Sequence, residues 1–90
     1  MMYPFMTLSD STEIVHSEFL PDETVKVYVE KPDEKDGFHN AYCILPSYEW
    51  KDVNGFSDSE IAAYQELIAS VAHLIIEFSK KGGFDNASSF

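Results

Sequence analysis

The chain has no arginine, one cysteine, and six basic residues against sixteen acidic ones. Without arginine it lacks the side chain that grips phosphate and guanine in bidentate fashion. Its lysines (Lys26, Lys31, Lys35, Lys51, Lys80 and Lys81) sit in a net charge of −10. Such a body is repelled at long range by polyanions and by anionic membrane surfaces. Neither direct nucleic-acid binding nor membrane binding is expected. The single Cys43 excludes an intramolecular disulfide and fits a reducing compartment. No segment reaches the ~18 uninterrupted apolar residues of a membrane span. Met1 to Met6 is apolar but short, with no Lys or Arg ahead of it, unlike a signal peptide. A soluble cytoplasmic protein is the default expectation.

What is present is enough to fold. Hydrophobic residues make up 44% and aromatics 14% of 90 residues, which excludes a disordered chain and allows one small domain. Glu13 to Phe19 alternates, and Leu20-Pro21-Asp22-Glu23 reads as a turn. Thr24 to Glu30 is the clearest strand, with Val25, Val27 and Val29 on one side and Lys26, Tyr28 and Glu30 on the other. Lys31 to Gly37 is a charged connection. Phe38 to Leu45 resumes as a strand with two apolar faces, ended by Pro46. Ser47 to Gly55 reads as a linker closed by Asn54-Gly55.

The helix from Ser57 to Lys81 is marked at both ends. Ser57 and Glu60 have capping-box spacing, and Phe56 and Ile61 match a hydrophobic staple. Asp58 and Glu60 suit the positive end of the helix dipole, Lys80 and Lys81 the negative end, and Gly82 or Gly83 a left-handed stop. The expected fold is α+β: a three-stranded antiparallel sheet (β-β-β) packed by one long C-terminal helix. Its layout is a single domain over 1–90, with an arm at 1–10, sheet at 11–50, helix at 57–81 and tail at 83–90.

At ~100° per residue, Leu74, Leu67, Phe78, Val71, Tyr64, Ile75 and Ile68 fill one apolar arc of the helix, attributed to packing on the sheet. Ala62, Ala69, Ala72 and Ile76 extend the apolar surface round a second flank. Only Glu66, Ser70, His73 and Glu77 form a polar strip. The alanine flank is either half-exposed surface or a close helix–helix contact anchored by Ile76, and the contact is the expectation taken here.

Catalytic chemistry finds little purchase. His73 and Glu77 stand one turn apart but lack the second histidine of a zinc helix motif. Asp33, Glu34 and Asp36 lack calcium-loop spacing. Cys43 has no basic neighbour in sequence and reads as a small buried hydrophobe. No cofactor and no metal is expected. Tyr28, Tyr42 and Trp50 form an aromatic cluster suited to a second interaction surface, unless Trp50 folds inward. The sequence therefore points to a small acidic protein-binding or accessory domain, a homodimer or part of a complex, with a basic protein as one candidate partner. The alternative is a small enzyme or ligand-binding dimer with a pocket at the helix–sheet edge near His39, Cys43 and Tyr48.

Overall fold

A computed structural model describes residues 2–35 and 37–81. The order is β1 (Met2–Thr7), β2 (Glu13–Ser17), β3 (Val25–Asp33), β4 (Gly37–Leu45), β5 (Glu49–Asn54) and α1 (Asp58–Lys80). The five strands form one antiparallel sheet in sequence order. The α+β class and the long terminal helix stand; the three-stranded count is corrected to five. The supposed N-terminal arm supplies β1 and the supposed linker supplies β5.

Both added strands are edges, and each is irregular. In β1 the register slips between Pro4 and Met6. In β5 it slips opposite the step from Asn40 to Tyr42, with Asp52 at positive φ. Bulges, proline and charged side chains keep an edge from pairing with another chain, and they also erase period-two alternation. That erasure is why neither strand was legible. The β3–β4 hairpin is longer than expected because β2 stops pairing at Glu30, while Pro32 still faces Phe38 across β4. Beyond β2, the proline's missing N–H costs no ladder bond.

One face of the sheet is sealed. Ile14 pairs with Val29 and Val29 with Ala41; Val27 pairs with Cys43; Val25 pairs with Leu45. All seven are buried, and with Phe56, Ile68 and Ile75 they form the core. Burying each aliphatic side chain is worth ~1.5–3 kcal/mol, so this face carries most of the hydrophobic stabilisation.

The helix begins as its sequence dictates. Ser57 Oγ accepts from Glu60 N at 3.2 Å and Glu60 Oε1 accepts from Ser57 N at 2.9 Å, a reciprocal capping box. Those bonds hold the Glu60 carboxyl below its ordinary pKa. Phe56 is buried edge-on against Tyr64, with ring centroids 5.1 Å apart. At the other end Lys81 N donates to Phe78 O at 3.0 Å. Gly82, Gly83, the tail at 83–90 and Asp36 of the acidic loop lie outside the described residues.

The helix crosses the sheet diagonally. Near its start, the Trp50 indole N–H on β5 donates to Gln65 Oε1 at 3.0 Å. Near its end, Phe5 of β1 meets Phe78 at 6.1 Å between centroids, and Phe19 N donates to Ser79 O at 3.1 Å. One flank of α1 therefore leans over β5 and the other over β1.

Candidate functional site

Only Ile68, Ile75 and Ser79 of the 23 helix residues are buried. Stepped at ~100° per residue, they share one narrow line, and that line faces the sheet. Ala72 and Ile76 lie to its β5 side, half-buried against the core. Ala62 and Ala69, further round, are exposed. Leu67, Val71 and Phe78 lie to the β1 side and are half-buried, while Leu74 keeps 37% of its surface in solvent. The sequence reading assigned this leucine flank to core packing and reserved the alanine flank for a partner. The structure leaves the larger apolar side chains showing on the leucine flank. Helix rotation decides this, and it follows from contacts at the ends of α1 that periodicity cannot reveal.

By length and composition α1 could also cross a bilayer, since its richest 18-residue window has a mean hydropathy of 1.3. Here Ile68 and Ile75 are spent against the sheet, and the remaining apolarity lies on the partly covered flanks.

The open face of the sheet forms the second surface. Tyr28 and Tyr42 are cross-strand partners whose rings stack at 5.0 Å between centroids and 28° between planes. Lys26 Nζ stands 5.6 Å from the Tyr42 ring, close enough for a cation–π contact. Lys51 pairs with Tyr42 across β5, and its ammonium meets Glu49 at 3.1 Å. Phe38, at an even register step from Tyr42, ends the row and is 61% exposed. Trp50 does not join this group. It pairs with Cys43, so it turns to the helix side and borders the alanine flank.

The residues of the alternative pocket do not converge. His39 and Cys43 share a face of β4 four residues apart, ~13 Å at strand rise. The His39 ring packs edge-on against Phe56 at 5.7 Å, and a Cβ added at Gly55 would overlap that ring. Gly55 adopts φ +89°, so both its backbone and its neighbour require glycine. Cys43 is fully buried, and burial pushes its thiol up to about 12, far from a reactive thiolate.

His16 is equally enclosed. Tyr3 and Phe5 lie 5.7 and 6.3 Å from its ring, and the Ser17 carbonyl accepts from Nδ1 at 2.8 Å. That bond leaves Nε2 as a buried acceptor with no partner among the described residues, and burial lowers the imidazole pKa. Among the described residues no group of three or more His, Cys, Asp or Glu side chains is placed to hold a metal ion. A groove of about 610 Å³ lies at the end of α1, lined by Tyr3, Phe19, Leu20, Pro21, Ser79 and Lys80 among others. None of the candidate interaction or pocket residues named from the sequence lines it.

Comparison with known families, characterised proteins and solved structures finds no match for this chain.

Proposed function

We propose that this chain is an acidic protein-binding or accessory domain that acts by association, as a dimer or within a complex, rather than by catalysis. The observation that carries the reading is the mismatch between α1 and the sheet: a helix apolar over most of its circumference buries three of 23 residues. Half-buried apolar side chains along two flanks of such a helix, with Leu74 exposed, support an interaction site there. The candidate nucleophile Cys43 is sealed and protonated, and His16 is sealed and neutral, which removes the groups a hydrolytic or transfer reaction would use first.

The alanine flank (Ala62, Ala69, Ala72, Ile76) and, on the other side of the buried line, the leucine flank are the two primary surfaces, with the Tyr28/Tyr42 face as the secondary one. The −10 charge favours a basic partner wherever the contact includes the acidic rim. Light scattering over a wide concentration range, paired with isolation of the tagged chain from its own cells at low and high salt, tests the reading. It predicts either a concentration-dependent mass or one stoichiometric partner. A monomer at every concentration that copurifies with nothing contradicts it.

A further inference from the structure

His16 is fully buried, yet only one of its ring nitrogens is satisfied. Nδ1 donates to the Ser17 carbonyl at 2.8 Å, and Nε2 finds no partner among the described residues. A buried acceptor left unmet costs ~1–3 kcal/mol. That cost falls at a particular place in the sheet, because His16 pairs with Val27 of β3 on one side and Tyr3 of β1 on the other. Val27 belongs to the saturated core. Tyr3 belongs to an edge strand whose register slips beside Pro4 and whose Phe5 rests on Phe78 of α1.

The elements around the ring supply rings and aliphatic side chains. β1 faces it with the Tyr3 phenol and with Phe5, and β3 with Val27. α1 closes this end with Phe78 and with buried Ser79, whose hydroxyl is spent on the Ile76 carbonyl at 2.6 Å. The charged groups of this end are Glu18, two residues on, and Lys80, which stands over the Phe19 ring at 4.9 Å; both are exposed. A proton on Nε2 is therefore a buried charge without a counterion, and a protein interior does not keep one. Water must reach the ring, and β1, with a single neighbouring strand, is the cover that can lift while the core stays closed.

We propose that β1 is an acid-released edge strand, with His16 as the group whose protonation opens it. The device adds a control to the association reading without resting on it. When β1 lifts, the β2 ladder from Glu13 to Ser17 is bared and Phe78, beside the leucine flank, loses Phe5. An open strand edge accepts an extended segment of another chain, and the flank gains apolar area. Burial holds the imidazole below its ordinary pKa in the closed form. Once wet, the ring titrates near pH 6.5, so opening is favoured about tenfold for each pH unit below that, until the closed form also takes up the proton. The net charge of −10 further favours the protonated, open form.

Hydrogen–deuterium exchange of the full chain tests this, read strand by strand at about pH 7.5, 6.5 and 5.5 and corrected for the intrinsic pH dependence of exchange. The amides that bond β1 to β2 are expected to open ahead of those between β3 and β4, and roughly tenfold more often at the lowest pH. Their opening should depend little on added denaturant, because one strand exposes little surface. His16→Leu should remove the acid-driven rise while β1 stays paired. If that variant does not fold, the wild-type imidazole followed by NMR gives the second readout: its uptake of a proton and the loss of β1 protection share one midpoint. Three results overturn the proposal: β1 amides that open only together with β3 and β4, a rise that survives in His16→Leu, or an imidazole that takes up its proton while β1 stays protected.

Discussion

The central strands and the helix use their apolar residues in opposite ways. On β3 and β4 every residue of the covered face from Val25 to Val29 and from Ala41 to Leu45 is at most 2% exposed. On α1, Leu67, Val71, Leu74, Ile76 and Phe78 all keep part of their surface in solvent. The sheet's covered face is saturated and the helix is not. Folding accounts for the first pattern. The second exceeds what a helix on one sheet needs, and it is the reason to read α1 as a contact surface.

Truncation should separate the two regions most sharply. Ile75→Ala, inside the buried line of α1, should cost ~2–5 kcal/mol in chemical denaturation, whereas Leu74→Ala next to it should cost less than ~1 kcal/mol. Equal losses at the two sites would erase the distinction between covered and uncovered helix. Gly55→Ala should follow at ~1–3 kcal/mol, because the new methyl meets the His39 ring at a positive φ. A wild-type unfolding midpoint in this variant would mean the His39–Gly55 packing does not anchor the start of α1.

Acid probes the sealed side at the β1 edge. Burial keeps His16 neutral in the folded chain, while the unfolded chain takes up a proton near pH 6.5. Below that pH the unfolded state binds more protons, so stability falls as pH drops through ~6.5 and levels off below the depressed folded pKa. Asp10 and Glu60, whose pKa values are lowered, release their own stabilisation only in the lower carboxylate range. His16→Leu should flatten the slope between pH 7 and the carboxylate range. An unchanged slope would assign it to other groups. Ser57→Ala, which removes one half of the capping box, should cost about 1 kcal/mol and should not alter association.

The parts of this fold legible in the sequence are those where one local rule acts alone. Ser57, Glu60 and Phe56 fixed the start of α1 because capping is local. Val25, Val27 and Val29 declared the covered face because β3 is flanked by strands on both sides and alternates cleanly. β1 and β5 were hidden by their bulges, and Pro4 sits on an edge strand, where proline is tolerated. The stacking of Tyr28 on Tyr42 was implied by parity once both strands were placed. Trp50 was not, because its side of the sheet depends on the turn after Leu45, where Tyr48 takes a positive φ and donates its N–H to Ile44 O at 2.7 Å. The division of α1 into a covered line and two flanks needed Phe5, Phe19 and Trp50 in space, since those three set the rotation of the helix.

Sedimentation equilibrium of the wild-type chain beside Leu74→Asp tests the central claim most directly. The account predicts a wild-type mass above that of one chain, climbing with concentration or carried by a copurified partner, and a Leu74→Asp protein that stays at one chain while melting within a few degrees of wild type. Identical behaviour of the two proteins, both monomeric or both associating, would contradict it.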